Sequence, residues 1–207
     1  MPGMFRPTPR PSLVFAATLA VLPWLLPHLA HGAAQAPAQS SHAVPSPTQQ
    51  PAPARLEVPG VRNYTRVDAS FALGGALSAN AAEGIKAAGF KSIVNFRAEN
   101  EEGANIEAEQ KSAEAAGLKY IWLPFVTASP DATRVDQFLQ AVVEPANQPM
   151  LIHCASGGRV SMFWAIKRVV VDGWPVDKAM GELPDLSKNV SPALKTFTLD
   201  YLTQHGK

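Results

Sequence analysis

The apolar positions of this chain fall into two alternating rhythms. Short runs with strand spacing occupy residues 64–67, 70–73, 91–96, 118–123 and 150–153. Segments with helical character occupy residues 79–88, 105–116, 134–143 and 160–171, and two more follow at 176–183 and 192–204. The punctuation agrees with this pattern. Asp68-Ala69 reads as a turn between the first two strands, and Gly74-Gly75 breaks the second. Ser78 and Thr133 stand where helix caps belong, and Gly89 and Gly117 where helices stop. The 134–143 segment sets Val135, Phe138, Leu139 and Val142 on one face. Strands alternating with helices predict an α/β fold: one domain, its central and mostly parallel sheet flanked by helices on both faces.

The N-terminal quarter follows neither rhythm. Arg6 and Arg10 precede an uncharged apolar run over residues 13–26, and small residues follow at Ala30, Gly32 and Ala34. This is the layout of a secretory signal peptide over residues 1–32, cut after Gly32 or Ala34. Pro23 and Pro27 interrupt the run, which is also short for a span, so a retained anchor is disfavoured. No Asp, Glu, Lys or Arg occurs from Pro11 to Ala54. Residues 33–55, rich in Ala, Pro, Gln and Ser, hold too little apolar surface to offset their ordering entropy and predict a disordered tether. The folded domain is expected over residues 56–207, periplasmic or secreted and free of the membrane after cleavage.

Composition narrows the chemistry. A formal net charge of +1 gives no case for nucleic acid or for a polybasic membrane contact. No cluster of metal-ligand spacing occurs, and no cofactor is implied. The single cysteine, Cys154, cannot form an intramolecular disulfide. In an oxidising compartment a lone thiol is a hazard unless it is buried or used.

Its surroundings favour use. The apolar run Met150 to Ile152 delivers His153 and Cys154, and a loop of Ala155, Ser156, Gly157 and Gly158 then leads to Arg159 and a helix. Strand, tight loop and helix aim successive backbone N–H groups at one point, in a positive field that favours the nucleophilic thiolate. Arg159 adds a planar fork suited to a tetrahedral oxyanion. The alternative is a buried, inert strand-end cysteine.

His-Cys, a glycine three residues after the cysteine, then arginine and a helix resembles the phosphate loop of cysteine-dependent tyrosine and dual-specificity phosphatases. Those enzymes place five residues between Cys and Arg, whereas four stand here. The shorter spacing, the Trp164-bearing helix and the segment Gly89-Phe-Lys-Ser-Ile-Val-Asn-Phe-Arg97-Ala-Glu99 resemble the beta-lactamase-hydrolase-like phosphatase-domain family more closely. The resemblance covers roughly residues 60–185. It implies a phosphatase-like domain with Cys154 as nucleophile, and Ala155, Ser156, Gly157 and Gly158 as the anion cradle closed by Arg159.

Ligands of open α/β sheets bind beyond the carboxyl ends of the strands, where three loops meet here: residues 97–103, 124–131 and 154–159. Arg97 either holds a second substrate anion or pairs with Glu99, Glu101 or Glu102. His153 either hydrogen bonds so as to tune Cys154 or is satisfied by a backbone carbonyl. Ser156 either donates to a bound anion or caps the following helix. In the phosphatases that this chain resembles, the acid that protonates the leaving oxygen comes shortly after a hydrophobic-Pro pair. Here that pair is Leu123-Pro124, and Thr127 stands at the acid's place. Asp131 is the nearest carboxylate, as acid or as ordinary helix-start chemistry.

Two reactions and one binding role follow. Phosphate monoesters, phosphotyrosine among them, would be hydrolysed through a Cys154 thiophosphate. A sulfane-sulfur substrate would instead leave a Cys154 persulfide, as in rhodanese-like sulfurtransferases, whose loop spacing this one resembles and whose chemistry needs no general acid. A third role is an oxyanion-binding module without turnover.

Overall fold

A computed structural model describes residues 57–187 and 190–205; the leader and tether expected over residues 1–55 lie outside them. Five strands form one sheet: β1 (Thr65–Arg66), β2 (Phe71–Gly74), β3 (Ser92–Asn95), β4 (Lys119–Trp122) and β5 (Met150–His153), in the order β1-β2-β5-β3-β4. Only β1 pairs antiparallel, with β2. The other pairings are parallel, with Leu151 of β5 opposite Ala72 on one side and Ile93 on the other. All four residues of β5 are buried, as expected of a short apolar run at the centre of a parallel sheet. β4 is one of the two edge strands, with Lys119 and Trp122 exposed.

Helices cover both faces, and the alternation of side chains sorts the core between them. On one face α1 (Ala81–Ala87) and α2 (Ile106–Ala115) pack over Ala72, Ile93 and Leu151. On the other lie α3 (Ala132–Val143), α4 (Gly158–Val170), α5 (Val176–Gly181), α6 (Leu183–Leu186) and α7 (Pro192–His205). These bury Phe71, Val94, Ile152 and the fully enclosed Trp164. Phe163 of α4 is the hub of an aromatic cluster, with ring centroids 4.3 Å from Phe96, 4.8 Å from Phe125 and 5.4 Å from Phe138. Each such pair adds about 0.5–1.5 kcal/mol beyond its buried area.

Element ends depart from expectation for identifiable reasons. Ser78 does not cap α1; its hydroxyl donates to Asn80 Oδ1 at 2.7 Å, and Asn80 takes the cap position without a side-chain bond. α3 starts earlier than Thr133, because Asp131 Oδ1 accepts the Thr133 N–H at 2.9 Å and caps the helix. The helix expected over 176–183 ends at Gly181 as α5, and a separate short helix, α6, follows from Leu183 with Pro184 in its first turn. Among the described residues no helix is long and apolar enough to cross a membrane.

Candidate active site

The carboxyl ends of β5, β3 and β4 bring three loops together, and β5 supplies the reactive group. Cys154 follows His153, the last residue of β5, and continues its alternation, so the two side chains face opposite sides of the sheet. Cys154, 1% exposed, joins the core on the α4 side. The chain then turns at Gly157, whose φ of +100° is a left-handed conformation that side chains rarely adopt. That turn points the Gly157 N–H at Cys154 Sγ, 3.2 Å away, and starts α4 at Gly158. An N–H donor and the positive end of a thirteen-residue helix thus meet at the sulfur.

The loop is tied down from outside. The Ala76 N–H donates to Ala155 O at 3.0 Å, and Asn63 Nδ2 to Ser156 O at 3.3 Å. A Cβ on Gly75 would stand 3.1 Å from Ala155 O, a tight contact that glycine avoids at β2's exit. Ser156 does not cap α4, since Gly157 holds that position.

Arg159 lies in the first turn of α4 and reaches the exits of β3 and β4. Its Nη1 donates to Phe96 O and Phe125 O, both at 2.9 Å, and to Glu101 Oε1. Its Nη2 donates to Glu101 Oε2 at 2.6 Å. The two carbonyls belong to residues of the aromatic cluster, so packing beneath the site fixes the guanidinium above it. A guanidinium has five N–H groups. The side edge formed by Nε and the second Nη2 proton remains for another acceptor. Burial disfavours the charge of Arg159, but Glu101 and the neighbouring Cys154 outweigh it and hold its pKa above the ordinary value. Arg159 thus stands between a carboxylate and the sulfur, with Nη1 and Nη2 committed to Glu101 and Nε outside those bonds.

Glu101 is the residue that motif reasoning missed in this role. Burial resists its ionisation, yet hydrogen bonds from Arg159 and the Ala98 N–H, with the charges of Arg159 and Arg97, hold its carboxyl below the ordinary carboxylate range. Glu101, Arg159, Ala98, Asn100, Val126 and Thr127 line a cleft of about 400 Å³.

Three sequence candidates are placed differently. Arg97 is 4% exposed; its Nη1 and Nη2 donate to Gly103 O and Glu102 O, and Nε lies 3.6 Å from Glu101 Oε2. It braces the loop after β3 and is not placed to meet a second substrate anion. Asp131 caps α3, pairs with Arg134 at 3.7 Å and does not line the cleft, so it is not placed as the acid.

His153 bonds neither Cys154 nor a backbone carbonyl. Its Nε2 lies 2.8 Å from Glu109 Oε1 on α2, an ion-pair distance whose direction falls outside hydrogen-bond geometry. Asn95 Nδ2 and Tyr120 Oη donate to the same oxygen at 2.9 and 2.8 Å. Burial opposes the Glu109 charge, but His153 and Tyr120 hold its pKa below the usual range, while burial and Glu109 push the Tyr120 phenol up. The sequence signal for Glu109 was its place on the stripe of Ile106 and Ala113, the buried face of α2. Among the described residues no cluster of three or more His, Cys, Asp or Glu side chains converges as a metal site.

The sequence profile of the family "Beta-lactamase hydrolase-like protein, phosphatase-like domain" matches residues 63–171. A beta-lactamase hydrolase-like protein of Xylella fastidiosa is 33% identical over 84 residues, which are 40% of this chain and 19% of that protein. The chain therefore matches less than a fifth of that relative's length. Among solved structures, a DUF442 protein of Shewanella putrefaciens CN-32, described as a phosphatase, superposes with a TM-score of 0.63 at 18% identity. The match covers 72% of this chain and 96% of that one. TpbA of P. aeruginosa gives 0.58 at 21% identity, over 74% and 92%. These similarities are of fold.

Proposed function

The chain belongs to the family of beta-lactamase hydrolase-like protein, phosphatase-like domains, and on that premise we propose that it is a cysteine-dependent phosphatase acting on phosphate monoesters. One observation carries this reading: the Gly157 N–H and the start of α4 converge on Cys154 Sγ, with the Arg159 guanidinium beside it. The Cys154 thiolate attacks phosphorus in line with the leaving oxygen. Loop N–H groups of Ala155 to Gly158 and the Arg159 edge hold the equatorial oxygens as charge gathers on them. Water then hydrolyses the thiophosphate and frees the thiolate. TpbA has been crystallised with pTyr, which supports phosphotyrosine as one substrate of the present chain. The charge-poor leader supports export, with the reaction in the periplasm or outside the cell.

The four-residue spacing between Cys154 and Arg159 favours a second reading, sulfur transfer through a Cys154 persulfide. One assay pair separates the two. The chain is incubated with 4-nitrophenyl phosphate and, separately, with thiosulfate plus cyanide, each beside Cys154→Ser. Phosphate release that disappears in Cys154→Ser is expected. Thiocyanate formation without phosphate release would replace the phosphatase reading with a sulfurtransferase, and silence in both assays would leave an oxyanion-binding module.

A further inference from the structure

Breaking a phosphate ester leaves an electron pair on the departing oxygen, and a positioned acid normally supplies a proton to it. All 17 Asp and Glu side chains of this sequence lie within the described residues. The cleft at Arg159 is lined by a single carboxylate, Glu101. Both of its oxygens accept from the Arg159 guanidinium, and Oε1 also accepts the Ala98 N–H. Protonating Glu101 would break those bonds. Asp131 is occupied as the cap of α3, and Glu109 is engaged by Asn95 and Tyr120 beside His153, on the opposite sheet face from Cys154. Thr127, on the loop that leaves β4, lines the cleft, and the resemblance to phosphatases sets their acid at this position. Its hydroxyl is far too weak an acid to take that part.

We infer that Thr127 makes the leaving group's own acidity the specificity filter of this site, so that it turns over aryl phosphates and phosphoric anhydrides and leaves alkyl monoesters almost untouched. This rests on the phosphatase reading. In the first step the Cys154 thiolate forms the S–P bond as the P–O bond breaks, and the leaving oxygen departs as an anion with the electron pair. In the second, water attacks phosphorus, the S–P bond breaks back to thiolate, and both water protons leave with the product as dihydrogen phosphate. Neither step needs a proton from the protein. A phenol, with a pKa of about 10, or a phosphate, with a second pKa of about 6, departs as an anion far more readily than an alkoxide. A positioned acid is worth on the order of 10² to 10⁴ in rate. The preference for activated over alkyl substrates should therefore widen by about that factor relative to a site that has one.

The test is the dependence of kcat/KM on leaving-group pKa. It uses a series of substituted phenyl phosphates extended with inorganic pyrophosphate and O-phosphoserine, for the wild-type chain, Thr127→Asp and Val126→Asp. A steep fall with leaving-group pKa is expected in the wild type. At least one of the two carboxylate variants should flatten it and raise O-phosphoserine turnover by on the order of 10²-fold, with a new alkaline limb in its pH profile. A wild type that handles O-phosphoserine within about tenfold of 4-nitrophenyl phosphate overturns the inference and leaves the phosphatase reading intact. A steep slope that neither variant relieves overturns the assignment to Thr127. No phosphate release even from the most activated phenyl phosphate, by a chain whose Cys154 is intact, sinks the phosphatase reading and this inference with it.

Discussion

Arg159 and Glu101 are separated by 58 positions in the sequence, yet Nη1 and Nη2 of the guanidinium both donate to this one carboxylate. Arg159→Lys keeps the charge but loses the fork. One ammonium cannot satisfy Phe96 O, Phe125 O and Glu101 and still present two parallel donors to a phosphoryl group. Steady-state assays with an aryl phosphate should show a loss of about 10² to 10³ in kcat. Near-normal turnover would mean that Arg159 only closes the loop. Glu101→Gln tests the other partner through pH. Since Glu101 titrates below its ordinary range when folded, its stabilisation is present above the unfolded-state carboxylate pKa and is lost as pH falls through the folded one. Urea denaturation should find Glu101→Gln less stable by about 1–3 kcal/mol at pH 7, with the gap closing below pH ~4. A constant gap across that range would mean the charge on Glu101 is not what matters. Cys154, Arg159 and the turn glycine were legible because a local motif holds all three. The partner of Arg159 was not. Glu99, Glu101 and Glu102 are alike in sequence, and only the turn that bonds Glu101 N–H to Ala98 O and Ala104 N–H to Glu101 O selects one of them.

At the scale of elements, the strands were the more legible, because β5 is an apolar run up to His153 and β3 has β-branched residues at its centre. Helix starts were less so, since a cap depends on which side chain reaches back to a free N–H. Asp131 shows what hangs on that difference. As an acid its loss would abolish activity on weak leaving groups. As a cap its loss should cost only stability. Asp131→Ala is expected to lower stability by about 0.5–2 kcal/mol in denaturant titration. It should leave kcat for an aryl phosphate within about twofold of wild type. A large fall in kcat without loss of stability would return Asp131 to the catalytic machinery and displace Thr127 as the reason for a leaving-group filter. The α5–α6 break was hidden for another reason: Pro184 is tolerated in the first turn of a helix, so the sequence alone accommodates one helix or two.

Across the whole molecule, the site is the place where both sheet faces and three loops share their anchors. Phe96 and Phe125 send their rings into the larger core and their carbonyls to Arg159, while the Cys154 loop is tied to the exit of β2 through Ala155 O. Unfolding any of these elements takes the loop of residues 154–159 apart, so under the proposed function an oxyanion bound there must stabilise the entire domain by linkage. Tungstate, a tetrahedral oxyanion that cannot be hydrolysed, is the suitable probe. At 100 times its Kd it should add about 2.7 kcal/mol. For a chain of this size that is a rise of roughly 5–10 °C in Tm by differential scanning calorimetry. It should also protect Cys154 from iodoacetamide. Arg159→Lys should lose most of the thermal shift, because the second parallel donor is gone, whereas Asp131→Ala should keep it, because the cap lies outside the cradle. An equal shift in Arg159→Lys would place the anion elsewhere on the surface. The convergence of Gly157, Arg159 and Cys154 would then be a device of folding and not of binding.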